Sequence, residues 1–317
     1  MVLNYFCWKW TKTLLESKLT IGHIALIWLK NAQQGSILGI TSKGIFLQLN
    51  ETQVVFLTNS KDFGPLNLIY EPPLPEVWQL HDKIAIQINK NRLILKNIQK
   101  DEFTASFKVW KISAAPAFSI SGYEQNKRIG QAIDQLCLLK ESQGFASLLP
   151  HLLTFSERDI SHSLQEIWES INAIRMTLPE LNLGMILPHF KPLFGYGRGL
   201  TPSGDDFVMG LIFLLNRFNH GFIPVNWLDK LNNSLLDFAL QKSNSISQSL
   251  LFCASQGSAD LHIQRAVDWL MNSSTPEQNQ ILDLASWGNS SGADLMVGAI
   301  VAIQALQMIG KGKSHEE

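Results

Sequence analysis

The sequence has few cysteines, and those it has are isolated. Cys7, Cys137 and Cys253 are odd in number and far apart in the 317-residue chain. Disulfide frameworks need paired cysteines, and cysteine-based zinc sites or redox dithiols need closely spaced ones. We therefore expect neither, and the sparse cysteines predict a reducing, cytoplasmic location.

An excess of one charge is also lacking. The 26 basic and 27 acidic side chains leave a formal net charge of −1, and no run of Lys or Arg stands out. Binding to nucleic acid requires cations that neutralise several phosphates. We therefore expect no nucleic-acid partner.

Long apolar runs are missing as well. The longest ones, FVMGLIFLL and LMVGAIVAIQAL, fall short of the roughly 20 residues that cross a bilayer. In the N-terminal stretch MVLNYFCWKWTKTLLE the lysines follow the apolar residues, which reverses the order of a secretory signal. We predict buried core helices, no signal peptide and no membrane partner.

The region between residues 20 and 115 has the pattern of a β domain. Short β-branched segments separated by turn residues predict strands. The seven segments are HIALIWLKN, SILGIT, GIFLQLN, QVVFLT, KIAIQIN, RLILKN and FTASFKVWKI. A hairpin turn is predicted at Asn89 to Asn91, and the prolines between 72 and 75 predict a surface connection. Seven strands without a helix indicate a barrel or sandwich-like domain.

A second periodicity begins after SAAPAFSISGYEQ. From there apolar residues recur every three or four positions, which predicts six or seven helices between about 125 and 309. The sequence therefore predicts an α+β protein with two domains. The β-rich domain covers residues 1–118, and the mostly α-helical domain covers residues 119–317.

The most distinctive motif is GYGRGLTPSGDDFVMG, at residues 195–210. Its three alternating glycines permit a left-handed backbone and close approach to a ligand. A helix start directly after them would offer free N–H groups to an anion, and Arg198 would supply a two-pronged partner. Asp205 and Asp206 would repel that anion unless a magnesium ion lay between them.

Simple helix capping is the alternative interpretation of this motif. Thr201 is a good N-cap residue, Pro202 suits the first helical position, and Ser203-x-x-Asp206 resembles a capping box. Capping does not explain the alternating glycines with Arg198, nor the second acid. We favour a functional site over capping alone.

A degenerate second copy of the motif lies in GNSSGADLMVG, at residues 288–298. Ser203 to Gly210 aligns without gaps on Ser291 to Gly298, and both copies read Ser-Gly-x-Asp, three apolar residues, Gly. Glycines two turns into a helix permit close helix contact. We predict that the two helices pack through Gly210 and Gly298 and bring both loops to one pocket.

Candidate site residues follow from these two copies and from the serine-rich segment KSNSISQSLL. That segment either caps a helix or donates hydroxyls to a small carboxylate or amide. The predicted substrate-binding residues are Gly197, Arg198, Gly199, Thr201, Ser203, Ser247, Asn289, Ser290 and Ser291. The predicted magnesium ligands are Asp205, Asp206 and Asp294. No pair of the eight histidines has metal-ligand spacing, and His189 is the one candidate general base.

The motifs GYGRGLTPSGDD, KSNSISQSLLFCASQG and GNSSGADLMVG, in this order, resemble a bacterial family of largely unassigned function. The family includes the AllH-type subunit of oxamate carbamoyltransferase. The resemblance covers the helical half and, loosely, the β half through GPLNL at 64–68. It implies a subunit that works with other subunits in allantoin degradation, where oxalurate plus phosphate are interconverted with oxamate plus carbamoyl phosphate. Ser243-Asn244 and Asn289 depart from the family pattern, which has a Thr pair and often a His there.

Three hypotheses remain open at this stage. The chain is a subunit of a multi-component carbamoyltransferase with an anion pocket built from the two loops. Alternatively, it is a stand-alone magnesium-dependent enzyme that acts on a small phosphorylated or amide substrate. The third possibility is a non-catalytic binding or scaffolding subunit. The second motif copy lacks three features of the first: Arg198, the alternating glycines and Asp205. We predict that these features determine ligand specificity.

Overall fold

A computed structural model describes residues 18–71, 78–97, 102–117, 120–140, 144–154, 160–219, 221–272 and 279–313. A closed β-barrel occupies residues 18–110, and helices follow it. The predicted α+β fold with an all-β N-terminal domain is therefore confirmed. The domain boundary at residue 118 stays a prediction. The prolines at 72 to 75 and the N-terminal stretch lie outside the described residues.

The barrel has eight strands in the order β1-β5-β4-β3-β2-β6-β7-β8. They are β1 (Lys18–Gly22), β2 (Gln34–Thr41), β3 (Gly44–Gln48), β4 (Val54–Thr58), β5 (Asn67–Tyr70), β6 (Lys83–Asn89), β7 (Arg92–Asn97) and β8 (Glu102–Trp110). Parallel pairing of β1 with β8 closes the sheet, and β4 and β5 are also parallel. Closure leaves no strand edge exposed, so of the two predicted β architectures the barrel is the one observed.

One predicted strand is wrong. The segment HIALIWLKN forms a helix, α1 (His23–Asn31), and not a strand. Its buried side chains, Ile24, Ala25, Trp28 and Leu29, lie on one helical face, while Ile27 is 56% exposed. This spacing fits a period of 3.6 better than a period of 2. The β-branched composition concealed that difference.

Two strands, β1 and β5, were not predicted, and one turn was predicted with the wrong residue. The hairpin between β6 and β7 does turn where expected, since Asn89 pairs with Arg92. The left-handed residue of this turn is Lys90, with φ of 54°, and not an asparagine. A two-residue turn imposes this conformation on whichever residue occupies the position.

The helical region has more helices than predicted. The described residues contain ten α-helices after the barrel, several of them only six to eight residues long. They are α2 (Gly122–Lys140), α3 (Leu149–Thr154), α4 (Gln165–Thr177), α5 (Leu183–Phe190), α6 (Ser203–Arg217), α7 (Val225–Lys242), α8 (Ser245–Ser255), α9 (Leu261–Met271), α10 (Gln280–Ala285) and α11 (Ser291–Lys313). Helices this short carry too few apolar repeats to be recognised by periodicity.

Helices α6 and α11 form the centre of the helical core. Phe207 to Leu215 on α6 and Leu295 to Ile303 on α11 are buried, which confirms the prediction of core helices. By length and composition, Ser291–Gly310 also qualifies as a membrane-spanning helix, but 83% of its apolar window is buried inside the molecule. Core helices of this kind satisfy the same criteria.

The two helices cross in contact at the predicted glycines. A Cβ atom on Gly210 would lie 2.0 Å from the Leu295 carbonyl oxygen, and one on Gly298 would lie 1.9 Å from the Phe207 oxygen. Phe207 and Leu295 occupy equivalent positions in the two motif copies, so the two glycines make equivalent contacts. The predicted packing through Gly210 and Gly298 is confirmed, and it fixes how close the two helices approach.

The barrel and the helical region are joined along a seam of specific hydrogen bonds. The Val54 amide on β4 donates to the Ser249 hydroxyl on α8 at 2.9 Å. The Leu261 amide at the start of α9 donates to the Phe63 carbonyl at 2.8 Å. These bonds place one wall of the barrel against the N-terminal ends of α8 and α9, beside the loops that carry the motifs.

Candidate functional site

The N-terminal ends of α6 and α11 converge. The Thr201 and Ser291 hydroxyls, one from each motif copy, are hydrogen-bonded at 2.9 Å. The loops therefore meet at one place, as the repeat and its glycines predicted. Binding of an anion at that place stays a prediction.

The predicted capping scheme is wrong in its positions. Helix α6 begins at Ser203, with Pro202 as N-cap in an extended conformation and no side-chain cap. Thr201 lies one residue too early to cap the helix, and its hydroxyl bonds to Ser291 instead. Ser203 is the first helical residue, so it does not begin a capping box. Since the Asp294 amide donates to the Ser290 carbonyl, Asn289 likewise precedes the cap position of α11.

The glycine-rich loop has the backbone that the sequence predicted. Gly195, Gly197 and Gly199 have φ of 75°, 115° and 101°, in the region that side chains disfavour. Part of this geometry serves the protein's own packing, because a Cβ atom on Gly197 would lie 2.6 Å from the Ser203 amide nitrogen. Arg198 is exposed, together with Gly197 and Gly199.

Asp205 ties the glycine loop to two helices. Its Oδ1 accepts hydrogen bonds from the Gly195 amide at 2.9 Å and the Ser243 hydroxyl at 2.8 Å. Burial raises the pKa of this carboxyl, and hydrogen bonds from Gly195, Ser243 and Ser247 oppose the rise. Asp205 therefore connects the glycine-rich loop, α6 and the start of α8. This structural role was not predicted from the sequence.

Asp206 and Asp294 are a buried carboxyl pair below the converging loops. Asp206 is 1% exposed, and burial together with the nearby Asp294 charge raises its pKa well above the usual range. Burial also raises the pKa of Asp294 to about 6, against hydrogen bonds from Phe145, Ser290 and Ser203. Two close carboxylates rarely both ionise, so the pair favours a state in which one of its carboxyls is protonated.

Magnesium binding by the three aspartates stays a prediction. The Oδ2 atoms of Asp205, Asp206 and Asp294 are buried without a hydrogen-bond partner in the described part of the chain. Unpartnered carboxylate oxygens are what a cation would contact. Among the described residues, however, no group of three or more His, Cys, Asp or Glu side chains is arranged to hold a metal ion.

A cleft of about 360 Å³ opens between the barrel and the helical region, next to the converging loops. Thr201, Ser291 and Gly288 line it from the two motifs. Apolar side chains from the barrel and α8, among them Phe46 and Leu250, form another part of its wall. Of the nine predicted substrate-binding residues, only Thr201 and Ser291 line this cleft, which we call the seam cleft.

The other predicted residues have different surroundings. Ser203 and Ser247 are buried beneath the loops, next to Asp294 and Asp205 respectively. Asn289 is exposed and Ser290 is partly buried. In the serine-rich segment, Asn244 caps α8 by accepting from two amides, so the capping interpretation holds there. The candidate base His189 lies in the last turn of α5 and does not line the seam cleft.

Sequence reasoning missed a second set of polar groups that line the seam cleft. These are Asp62 and Asn67 from the barrel, together with Asp260, His262 and Trp287 from the helical region. Burial, followed by the nearby Asp62 charge, raises the pKa of Asp260 to about 7, while a hydrogen bond from Trp287 lowers it. Burial lowers the pKa of His262 to about 4, so its imidazole is neutral at pH 7. No short spacing links residues 62 and 260, so only folding brings them together.

The carboxyl pair predicts a specific pH dependence of stability. Because the pKa of Asp294 is higher in the folded state, the native protein binds more protons than the unfolded chain between about pH 4 and 6. Stability is therefore lost as pH rises through this window. In the wild-type protein the free energy of unfolding should fall by on the order of 2 kcal/mol between pH 4.5 and 7.5, as measured by urea unfolding, and Asp294→Asn should abolish this decline.

A surface carboxyl provides the control for this measurement. Asp134 on α2 is exposed, so Asp134→Asn should leave the pH profile of the wild-type protein unchanged. If Asp294→Asn retained the full wild-type decline in the free energy of unfolding, the buried pair would not be the source of that decline.

Comparison with known protein families bears on the region that carries these features. Residues 193–303 match the family described as oxamate carbamoyltransferase subunit AllH. The predicted resemblance to the AllH family is confirmed. The matched stretch contains both motif copies and the serine-rich segment, about one third of the chain, and excludes the barrel. Searches of curated proteins and of solved structures found no match.

The AllH-like stretch contains much of the seam cleft. Thr201, Asp260, His262, Trp287 and Ser291 all lie within it. The family is described as a subunit of an enzyme.

Proposed function

We propose that this chain is a subunit of a multi-component carbamoyltransferase that interconverts oxalurate plus phosphate with oxamate plus carbamoyl phosphate. In this proposal the seam cleft binds a small anionic substrate: phosphate, carbamoyl phosphate or a carboxylate. One observation carries it, namely that the hydroxyls of Thr201 and Ser291, both in the AllH-like stretch, meet at the wall of the cleft between that stretch and the barrel.

The size and chemistry of the seam cleft support this role. Its volume of about 360 Å³ falls within the range of small-molecule sites. Both hydroxyls also hydrogen-bond the Asp206 carboxyl. An anion placed between the two hydroxyls would accept a hydrogen bond from each, in place of their mutual bond and of their bonds to Asp206. Hydrogen bonds to a charged acceptor are stronger than those between neutral groups. Convergence of two polar loops thus gives an arrangement that favours an anion over an apolar ligand.

The buried aspartates are compatible with a nearby anion. If Asp206 is protonated at neutral pH, the pair carries one negative charge fewer beneath the loops. The carbamoyl carbon and the phosphate oxygen that attacks it would both lie close to the hydroxyls, which can stabilise the negative charge that develops as the carbamoyl group passes from the oxamate nitrogen to phosphate. A magnesium ion held by Asp205, Asp206 and Asp294 is the alternative to a protonated Asp206, because a carboxyl must ionise to bind the ion, and the ion would then offset the charge of phosphate.

The cellular setting belongs to the proposal as well. Cys137 and Cys253, the two cysteines within the described residues, form no disulfide there. We propose a cytoplasmic location and a role in allantoin degradation together with the partner subunits.

Loss of either motif hydroxyl should reduce the activity of the assembled enzyme. The chain is co-expressed with candidate partner subunits, and carbamoyl phosphate formation from oxalurate and phosphate is measured. Thr201→Val and Ser291→Ala each remove one donor to the anion, so each should lower activity by about tenfold or more. Ser234→Ala is the control, because the Ser234 hydroxyl bonds only to the Lys230 carbonyl within α7.

Other outcomes would select a different function. Activity of the isolated chain that chelation abolishes would favour the stand-alone magnesium-dependent enzyme. Co-purification with partner subunits but unchanged activity in both hydroxyl variants would favour a non-catalytic scaffolding subunit. Failure to form carbamoyl phosphate with any partner would contradict the proposed reaction.

Arg198 has its own test in the same assay. It is exposed and does not itself line the seam cleft, but it precedes the cleft residues Leu200 and Thr201. If its guanidinium reaches the anion, Arg198→Ala should raise the KM for phosphate by about tenfold and leave folding intact. If the variant forms product with an unchanged KM for phosphate, Arg198 does not bind the anion.

A further inference from the structure

Groups of different chemistry line the seam cleft. The hydroxyls of Thr201 and Ser291 are two of them. The carboxyls of Asp62 and Asp260 and the imidazole of His262 line the same cleft. A ligand in the seam cleft can therefore meet hydroxyl groups with one part and carboxyl groups with another.

Asp260 is fixed in position by close backbone contacts. A Cβ atom on Gly64 would lie 2.0 Å from its Oδ1, so the barrel loop presses directly on the carboxyl group. The next residue, Leu261, donates its amide to the Phe63 carbonyl at 2.8 Å. The Trp287 indole donates a hydrogen bond to the same carboxyl. A side chain held this firmly is suited to recognise one particular ligand group.

His262 adds an unused hydrogen-bonding atom beside Asp260. Its Nε2 is buried and has no partner in the described part of the chain. The ring lies against Trp287, with centroids 5.6 Å apart. Buried polar atoms without a partner are uncommon in native proteins, and a ligand is one explanation for such an atom.

The charge of Asp62 and Asp260 decides which ligand group can bind beside them. Among the described residues that line the seam cleft, Lys43 supplies the one cationic side chain, and it is exposed. Two carboxyls would repel the negative end of a substrate. An uncharged group rich in N–H donors has no such penalty, and it would satisfy the carboxyl oxygens. The pKa of Asp260, raised to about 7, keeps part of this carboxyl protonated at neutral pH and so able to donate to an amide carbonyl as well.

We infer that Asp260, assisted by His262, recognises the uncharged amide or ureido end of the ligand, while Thr201 and Ser291 bind its anionic end. The inference rests on the proposed function and adds the orientation of the substrate. Asp260 is thereby a specificity-determining residue that distinguishes an amide from a carboxylate.

Paired ligands test this assignment without relying on a mutation. Oxamate and oxalate differ only in the replacement of an amide by a carboxylate. Titration calorimetry of the full-length chain, alone and in the complex with its partner subunits, should show oxamate binding about tenfold or more tightly than oxalate. Equal affinities for oxamate and oxalate would overturn the inference.

Variants then assign the preference to a residue. Asp260→Asn should lower the affinity for oxamate about tenfold and leave the affinity for inorganic phosphate unchanged, because phosphate has no amide end. His262→Gln should weaken oxamate binding in the same direction, which provides a second variant if Asp260→Asn does not fold. Asp229→Asn is the matched control, since Asp229 is exposed on α7 and does not line the seam cleft.

The outcomes separate the inference from the proposed function. Wild-type protein that binds neither phosphate nor oxamate, in either preparation, would contradict both. Wild-type protein that binds both ligands, with Asp260→Asn and His262→Gln binding oxamate equally well, would overturn the inference alone.

Discussion

Gly298→Ala is expected to destabilise the protein by about 3 kcal/mol or more. A Cβ atom at this position would lie 1.9 Å from the Phe207 carbonyl oxygen and 2.9 Å from the Leu211 amide nitrogen. Both contacts are to backbone, which cannot rotate away as a side chain can. Helices α6 and α11 would have to separate, and the Thr201–Ser291 hydrogen bond would be stretched with them. Gly210→Ala should have a similar effect, since its Cβ would meet the Leu295 oxygen.

A helical glycine without neighbours provides the control for this prediction. Gly130 lies within α2, and a Cβ atom there would meet no other atom within 4 Å. Gly130→Ala should therefore stabilise the protein, by about 0.5 to 1 kcal/mol, through helix propensity alone. Urea unfolding measures all three variants. If Gly298→Ala were as stable as the wild type, the described close crossing of α6 and α11 would be wrong.

The second large effect is expected at the buried ion pair of Arg217 and Asp268. The guanidinium donates to both carboxylate oxygens, at 2.7 and 2.8 Å, and also to the Ser113 carbonyl in the connection that follows the barrel. Removing one partner leaves the other charge buried and uncompensated. Asp268→Asn should therefore cost about 3 to 5 kcal/mol of the free energy of unfolding.

Two comparisons make the measurement at this pair specific. The double variant Arg217→Met with Asp268→Leu leaves no buried charge, so it should be more stable than Asp268→Asn. The exposed pair of Lys127 and Glu124, 4.0 Å apart on α2, is the surface control, and Lys127→Met should change stability by less than about 0.5 kcal/mol. Similar costs for Asp268→Asn and Lys127→Met would show that burial does not strengthen the pair of Arg217 and Asp268.

The repeat was the most informative feature of the sequence. The gapless match of Ser203 to Gly210 with Ser291 to Gly298 predicted two helices that pack through glycines, and the structure has them in contact there. A glycine two turns into an apolar helix indicates that another helix packs closely there, because any side chain at that position would keep the two helices apart. The left-handed glycines at 195, 197 and 199 were predictable for the same reason.

Features that depend on tertiary contacts were not predictable from local patterns. Thr201 has the composition of an N-cap, but its hydroxyl bonds to Ser291 on another helix. The segment HIALIWLKN has the residues of a strand, but burial of one face against the barrel makes it helix α1. Asp260 owes its place in the seam cleft to Gly64 on the barrel, far away in sequence.

The central claim is that the loops of the two motif copies form one site for a small anion in the seam cleft. A crystal structure of the protein, with its partner subunits where they co-purify, grown with oxamate tests this most directly. We expect the carboxylate of oxamate within about 3.2 Å of the Thr201 or Ser291 hydroxyl, with its amide toward Asp260. Oxamate bound elsewhere, or a seam cleft that stays free of oxamate at saturating concentration, would contradict the claim.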